Sequence, residues 1–390
     1  MDQRTLPAVF MRGGTSKGLF FKESDLPGDP AARDRFFVAA LGSPDEYGRQ
    51  LDGMGGGVSS LSKVMVVARS TRPGADVDYT FGQVAVDAPY VDYKANCGNL
   101  SSAVGAFAVD EGLVDVAAGA SEALVRMYNT NTRKVVHCHV PLAGGKARVE
   151  GDFSIDGVPG SGARIRLDFL DPGGSACRAL LPTGRPVDLL DAGPGGRIEA
   201  SIVDATNPVA FVRAEALGLT ALETAEQLRR DSAVLERLEH IRRAAAVQAG
   251  LARSPEDAAR NWRSSPKIAV VAAPADARLT TGRVVAADEV DLSVRMISMG
   301  VPHGAVPLTG AMCVAAAARI EGTIVHAVAR RRGAEQGDVV RVGHASGVLP
   351  VSAVVRRGEG AWIAETASVF RTARRLMSGL VYVPASGDAP

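Results

Sequence analysis

Residues 96–103 read Asn-Cys-Gly-Asn-Leu-Ser-Ser-Ala, and small or apolar residues continue to Val109. This composition predicts a buried helix that begins at Cys97 and ends at Gly112, a typical C-terminal stop. A helix start presents free N–H groups and a partial positive charge, which favour a thiolate or a bound carboxylate. Cys97 is therefore a candidate site residue, and a buried structural cysteine is the alternative.

A polar turn leads into a second run of small apolar residues late in the chain. The turn contains His303, Thr309 and Gly310, and the small apolar residues continue to Ala318. We expect the backbone donors of Thr309 and Gly310 to be free at the start of a second buried helix. His303 is a candidate carboxylate ligand or a plain turn residue. Two such helices predict a duplicated architecture with a cleft between the halves, although no residue-level repeat is visible.

A glycine-rich segment, residues 52–62, precedes Lys63 and the apolar run 64–68. The segment holds four glycines and three serines, and its last residue is Ser62. Glycines let the backbone approach a ligand closely, and a lysine at the mouth of a strand can be desolvated into a proton carrier. Lys63 is therefore a candidate acid or base, with a solvated loop lysine as the alternative.

The loop 11–18 has the glycine spacing of a phosphate-binding loop. The Walker pattern fails because Leu19 stands where its lysine should be, so nucleotide binding is not supported. The loop still offers backbone donors, the hydroxyls of Thr15 and Ser16, and the guanidinium of Arg12. These groups suit a carboxylate as well as a phosphate.

Composition indicates a soluble enzyme with two core-forming units. The chain has 390 residues, of which 46% are hydrophobic and 22% charged, and its net charge is +1. It shows no basic stripe, no apolar stretch of about 20 residues and no signal-peptide core. We therefore expect a cytoplasmic protein that binds neither nucleic acid nor a membrane.

The cysteines at 97, 138, 177 and 313 show no CxxC spacing, so neither a zinc knuckle nor a disulfide scaffold is indicated. His137 and His139 would share one face of a strand. No third ligand accompanies them, so a surface pair is favoured over a metal pair. The sequence calls for no metal, nucleotide or flavin cofactor.

Several motifs, in order along nearly the whole chain, resemble the PrpF family of methylaconitate isomerases, which share the diaminopimelate epimerase fold. They are residues 11–18, 51–56, 62–63, 77–79, 81–84, 96–99, 181–184 and 285–292. The resemblance implies an α+β fold of two pseudo-symmetric β-rich domains. Each domain would wrap around a central helix, with the active site in the cleft between them.

The domain boundaries combine this resemblance with the strand pattern. We expect an N-terminal domain over 1–185, completed by a C-terminal strand at about 376–390 that includes the apolar run 380–383. The C-terminal domain would span 186–375. Members of the family often pair, so a homodimer is an expectation as well.

The resemblance implies cis-trans isomerisation of 2-methylaconitate or a related double-bond shift on aconitate or oxalomesaconate, so the expected substrate is an unsaturated di- or tricarboxylate. Moving a double bond requires removal of one carbon-bound proton and return of a proton further along. We expect Lys63 and Cys97 to carry these protons. The dienolate-like transition state needs fixed donors. The predicted substrate-binding residues are Arg12, Thr15, Ser16, Ser62, Gly98, Asn99, His303, Thr309 and Gly310.

Two other functions stay open. An amino- or hydroxy-acid racemase of this fold uses two facing cysteines, whereas this chain has Thr309-Gly310 at the comparable turn and Cys313 three residues later. A non-catalytic accessory factor to an aconitase-like dehydratase would tolerate loss of Lys63 or Cys97. The density of polar residues at helix and strand starts argues against the accessory role.

Overall fold

The computed structural model describes residues 2–93, 97–263, 265–298, 300–330 and 338–385. The chain divides into unit 1, Met1–Asp168 with Phe370–Pro390, and unit 2, Phe169–Val369. Residues 386–390 of the predicted C-terminal strand lie outside the described residues.

In the structure, the unit boundaries lie at 168/169 and 369/370. The boundaries predicted from the sequence are 185/186 and about 375/376. Residues 169–185 pack within unit 2 because backbone bonds tie them there: Gly174 N–H donates to Asp204 O, and Asp204 N–H donates to Leu180 O. At the second boundary, Thr372 O accepts the N–H of Gly14 in unit 1.

The described residues up to Leu170 form two α-helices and nine strands. They are β1 Gln3–Gly13, β2 Ser16–Lys22, α1 Pro30–Leu41, β3 Lys63–Arg69, β4 Val77–Val84, β5 Val91–Asp92, α2 Gly98–Asp110, β6 Glu122–Asn129, β7 Lys134–Ala143, β8 Lys146–Ala147 and β9 Ile165–Leu170.

The remaining elements follow in chain order. They are β10 Asp188–Asp191, β11 Arg197–Ala205, β12 Asn207–Arg213, α3 Ala225–Arg230, α4 Ser232–Gln248, α5 Pro255–Asn261, β13 Lys267–Ala272, β14 Ala277–Arg278, β15 Val284–Val285, β16 Leu292–Ser298, β17 Val301–Pro302, α6 Leu308–Ala318, α7 Ile324–Val328, β18 Val339–His344, β19 Gly347–Arg357, β20 Trp362–Arg371 and β21 Ala373–Pro384.

The two units repeat one order of strand pairing. In unit 1, β1 and β2 form an antiparallel hairpin, β2 runs parallel to β3, β3 pairs antiparallel with β4, and β4 runs parallel to β6. In unit 2, β11, β12, β13, β16 and β18 repeat these relations in the same order. The predicted duplicated architecture is confirmed at the level of topology.

Alternating side chains give the sheet of unit 1 two packed faces, because neighbours on a strand point to opposite sides. On β2, the Phe20 ring lies 5.5 Å from that of Phe107 in α2, whereas the Phe21 ring lies 5.2 Å from that of Phe37 in α1. Residues that share a face with Phe20 therefore lie on the α2 side.

Each unit contains a buried helix of small residues. All of α2 is buried except Asn99 and Asp110, and all of α6 except Thr309 and Ala318. Small side chains let the strands approach closely: a Cβ on Gly105 would lie 2.6 Å from Cys138 Sγ in β7. Among the described residues, no helix is long and apolar enough to cross a membrane.

Candidate functional site

Cys97 is the N-cap of α2. Its thiol accepts a hydrogen bond from Leu100 N–H at 3.4 Å, and its Sγ lies 3.9 Å from Ser16 Oγ. Cys97 is half-buried, whereas Cys138 and Cys313 are buried, and burial raises the pKa of both their thiols. Cys97 is thus a capping thiol beside a hydroxyl and not a core cysteine.

The turn between β1 and β2 packs against the start of α2 because glycines leave room for it. A Cβ on Gly13 would lie 2.8 Å from Asn99 O, and one on Gly14, whose φ is +53°, would lie 2.5 Å from Asn99 Oδ1. This close packing places buried Ser16 beside Cys97, while Thr15 at the tip of the turn is exposed. The predicted loop and the predicted helix start therefore meet.

Lys63 is the first residue of β3 and is only 7% exposed, so it is not a solvated loop lysine. Its Nζ donates to Gln83 Oε1 at 2.6 Å and lies 4.9 Å from the centroid of the Phe81 ring. Gln83 Nε2 donates in turn to Ser62 O at 2.7 Å, which fixes the amide that holds the ammonium. In the described part of the chain, Lys63 forms no ion pair with a carboxylate.

Lys63 leaves β3 on the α2 side of the sheet. It pairs with Gln83, and Tyr79 lies two alternations further along the same face of β4. Tyr79 Oη lies 3.2 Å from Ser101 Oγ, one turn into α2, and burial raises the pKa of Tyr79 to about 12. The structure thus places Lys63 and the helix that begins after Cys97 on the same face of unit 1.

Ser62, predicted to bind substrate, is fully buried. Its hydroxyl donates to Val84 O at 3.0 Å and accepts from Gln50 Nε2 at 2.7 Å. Gln50 Oε1 also accepts the N–H of Gly57 at 3.0 Å, so this network fixes the glycine-rich segment in front of Lys63. The geometry gives Ser62 a positioning role.

Arg12, also predicted to bind substrate, leaves β1 on the face opposite to its neighbour Gly13, which points toward α2. Its Nη1 donates to Gly14 O at 3.0 Å and to Thr372 O at 2.9 Å. Burial and the charge of Arg374 lower its pKa. Arg12 therefore braces the turn that carries Thr15 and Ser16.

Arg371 is a site residue that the sequence analysis missed. It is 6% exposed, its Nε donates to Asn99 Oδ1 at 2.8 Å, and its Nη1 donates to Phe370 O at 2.8 Å. Burial lowers the pKa of Arg371 to about 10, although the electrostatic interaction with Cys97 acts to raise it. Asn99 is 272 positions away in sequence, and nothing in the local pattern around Arg371 signals this contact.

Three predicted residues, His303, Thr309 and Gly310, belong to unit 2. Thr309 and Gly310 form the first turn of α6, whose N-cap is Pro307 and has no side-chain cap. Thr309 O accepts the hydroxyl of Thr206 at 2.8 Å. His303 is exposed, and its Nδ1 lies 2.8 Å from Ala305 O.

One histidine of the pair flanking Cys138, His139, contacts two carboxylates. His139 Nδ1 lies 3.0 Å from Glu122 Oε1, and its Nε2 lies 3.1 Å from Asp168 Oδ2. Within the described ranges, no group of three or more His, Cys, Asp or Glu side chains could hold a metal ion.

The family model described as PrpF protein matches residues 3–384. The chain is 43% identical over 385 residues to the 3-methylitaconate isomerase of Eubacterium barkeri, with 98% of each sequence covered. It is 41% identical to the 2-methyl-aconitate isomerase of Cupriavidus necator, covering 100% of this chain and 99% of the relative. It is 38% identical to the 4-oxalomesaconate tautomerase of Pseudomonas putida, covering 98% and 97%.

Two solved structures show the same fold. The crystal structure of methylitaconate-delta-isomerase has a TM-score of 0.90 at 41% identity and covers 100% of this chain and 98% of its own. A probable proline racemase from Agrobacterium radiobacter K84 has a TM-score of 0.51 at 13% identity, covering 99% and 94%, and shares the fold alone. The predicted diaminopimelate epimerase-like α+β fold is confirmed.

Proposed function

The chain belongs to the PrpF protein family, as its motifs predict, and on this premise we propose that it shifts or isomerises the C=C bond of an unsaturated di- or tricarboxylate by proton transfer. The names of its relatives are those of isomerases and a tautomerase acting on acids of this class. The proposed catalytic pair is Lys63 and Cys97.

The observation that carries this proposal is the shared face of Lys63 and α2. Lys63 and Cys97 are two groups able to carry protons, and they lie at the mouth of β3 and the start of α2 on one side of unit 1. The Ser16 hydroxyl lies beside the thiol, and its Oγ accepts the S–H of Cys97 at 3.9 Å. Within the described residues, the N–H groups of Gly98 and Asn99 have no acceptor, as the start of a helix leaves them.

The contacts of Lys63 support one division of roles within the proposed pair. Lys63 Nζ donates to an amide oxygen and lies over the face of an aromatic ring, and on these contacts we assign Lys63 the role of the acid. Cys97, as thiolate at a helix start, is the base that removes the allylic proton. The electron pair of the broken C–H bond moves into a dienolate, whose charge spreads onto a substrate carboxylate near the N–H groups of Gly98 and Asn99.

Return of a proton completes the reaction. Lys63 gives a proton to the far carbon of the dienolate, which moves the double bond and leaves a neutral amine and a neutral thiol. A proton then passes from Cys97 to Lys63 through solvent, which the half-buried position of Cys97 allows. No electron leaves or enters the substrate, so the step needs no redox partner.

Proton NMR of the purified protein in deuterium oxide tests the proposed function. We expect 3-methylitaconate, 2-methylaconitate or 4-oxalomesaconate to give a new alkene isomer that carries solvent deuterium. Exchange of the α-proton of an amino or hydroxy acid, with all three alkenes unchanged, would instead establish a racemase. A racemase of this fold would need a second accessible cysteine at the start of α6. The N-cap there is Pro307, and Cys313 is buried, which argues against a racemase.

A cytoplasmic location, a homodimer and the absence of nucleic-acid or membrane binding stay predictions. The net charge of +1 supports the prediction that the protein does not bind nucleic acid. Light scattering of the purified protein gives the oligomeric state directly.

A further inference from the structure

Arg371 is a buried guanidinium without an acidic partner. Within the described ranges it forms no ion pair with Asp or Glu, and its acceptors there are one amide oxygen and one carbonyl oxygen. A buried charge is costly unless a counter-charge compensates it. Arg242, another buried arginine, follows the usual pattern: its Nε and Nη2 donate to the carboxylate of Glu239 at 2.7 and 2.8 Å.

The guanidinium of Arg371 lies against the first turn of α2 and still has a nitrogen without an acceptor. Its Nε and Nη1 are engaged, which leaves Nη2 without an acceptor among the described residues. The bond to Asn99 Oδ1 holds the guanidinium against the first turn of α2, where the N–H groups of Gly98 and Asn99 also have no acceptor in the described chain. An arginine fork and backbone N–H groups together suit a planar carboxylate.

Gly14 makes this position possible. A Cβ at Gly14 would lie 3.0 Å from Arg371 Cδ and 2.5 Å from Asn99 Oδ1. The turn between β1 and β2 therefore closes over the Arg371–Asn99 pair only because it has glycine there, and the same turn carries Ser16 to Cys97. The guanidinium is thus built into the same cluster as the proposed base.

We propose that Arg371 binds a carboxylate of the substrate at the start of α2. The bound carboxylate supplies the missing counter-charge, and its charge increases as the allylic proton leaves, so Arg371 stabilises the dienolate more than the substrate. This inference rests on the proposed function, because it names the residue that holds the reacting acid. It makes Arg371 a substrate-binding residue whose loss raises KM and lowers kcat.

The test compares Arg371→Gln and Arg371→Lys with Arg375→Gln. Arg375 is a matched control on β21, because it pairs with Asp110 and Glu111 at the other end of α2. We expect Arg371→Gln to lower kcat/KM on the alkene that the wild type isomerises by about 100-fold or more, as for a charge-assisted hydrogen bond at a reacting group. Arg371→Lys, which keeps the charge without the fork, is expected to lie between, and Arg375→Gln within about threefold of wild type.

Binding of unreactive acids separates recognition from folding. In the wild type, methylsuccinate should bind more tightly than 2-methylbutyrate, which lacks one carboxylate, by about 10- to 100-fold. This ratio should fall to within about threefold in Arg371→Gln, or in Arg371→Lys if the glutamine variant does not fold. If the wild type isomerises its substrate but the Arg371 variants keep the wild-type binding ratio and the wild-type kcat/KM, this inference alone is overturned. A wild type that isomerises none of the alkenes would overturn the proposed function instead.

Discussion

Lys63 Nζ lies 2.6 Å from Gln83 Oε1, and the two residues are cross-strand partners at the start of β3 and near the end of β4. The amide is itself held, because Gln83 Nε2 donates to the carbonyls of Ser59 at 3.1 Å and Ser62 at 2.7 Å. Gln83 can therefore present only its oxygen to Lys63. The ammonium is held in one orientation on the α2 side of the sheet.

Loss of this acceptor should reduce turnover. We expect Gln83→Met to lower kcat about 10- to 100-fold with a smaller change in KM, because the proton donor loses its fixed orientation. Steady-state kinetics on the alkene substrate measure this. Gln227→Met is the control, since that glutamine caps α3 in unit 2. Equal kcat in both variants would show that Gln83 does not position Lys63.

Thiol alkylation should select Cys97. It is half-buried at a helix start, whereas Cys138 and Cys313 are buried and burial raises the pKa of Cys177 to about 12. Mass spectrometry after brief treatment with iodoacetamide at pH 7.5 should find Cys97 modified first, and a bound dicarboxylate should slow the reaction. Earlier modification of Cys177 would contradict this account of the thiol.

Gly14→Ala should disturb the site as well as the fold. Its φ is +53°, and its added Cβ would lie 2.5 Å from Asn99 Oδ1. Gly112→Ala is a matched control, because its φ is +67° and its Cβ would meet nothing within 4 Å. Urea unfolding should show a loss of about 1 kcal/mol for the control and more for Gly14→Ala. Only Gly14→Ala should lower activity, and equal activities would contradict the close contact with α2.

Acid should weaken the ion pairs that Glu239 forms with Arg242 and Arg243 on α4. Burial alone would raise the pKa of Glu239, but its hydrogen bonds with Arg242 and Arg243 outweigh burial and hold the pKa below the ordinary 4.5. Because the folded pKa is lowered, the carboxylate stabilises the fold above the unfolded pKa, and this contribution is lost as pH falls through the folded pKa.

Urea unfolding at pH 7, 5 and 3.5 checks this sign. Glu239→Gln should be less stable than wild type at pH 7 and pH 5, and the difference should shrink at pH 3.5. Glu236→Gln, at an exposed position of the same helix, should show little change with pH. A difference that grows as pH falls would contradict the assigned direction.

The residues predicted most clearly from sequence are those with local signals. The small and apolar residues after Cys97 and around Gly310 predict buried helices, and α2 and α6 are buried along nearly their whole length. Motif order predicts the family. The predicted site residues Cys97, Ser16, Gly98 and Asn99 lie together because the loop and the helix start that contain them pack on each other.

The residues that sequence reasoning missed act through distant contacts. Arg371 reaches Asn99 across 272 positions, and Gln50 reaches Ser62 inside an irregular segment, so neither follows from helix or strand periodicity.

The topological repeat also places Lys267 in unit 2 where Lys63 stands in unit 1. Each is the first residue of a strand that runs parallel to the second strand of a hairpin. Lys267 Nζ lies 3.3 Å from Ser298 Oγ near the end of β16, as Lys63 Nζ lies beside Gln83 near the end of β4. The sequences around the two lysines share no visible repeat, so this equivalence appears only in the fold.

Deuterium incorporation by variants of Lys63 and Cys97 tests whether these two residues transfer the protons. The measurement follows, by proton NMR in deuterium oxide, the alkene that the wild type isomerises, with Lys63→Ala, Cys97→Ser and the control Cys177→Ser. We expect both site variants to lose isomerisation by at least about 1,000-fold while staying folded, and the control to incorporate deuterium at the wild-type rate. Isomerisation that persists near the wild-type rate in either site variant would contradict the assignment of Lys63 and Cys97 as the proton-transferring pair.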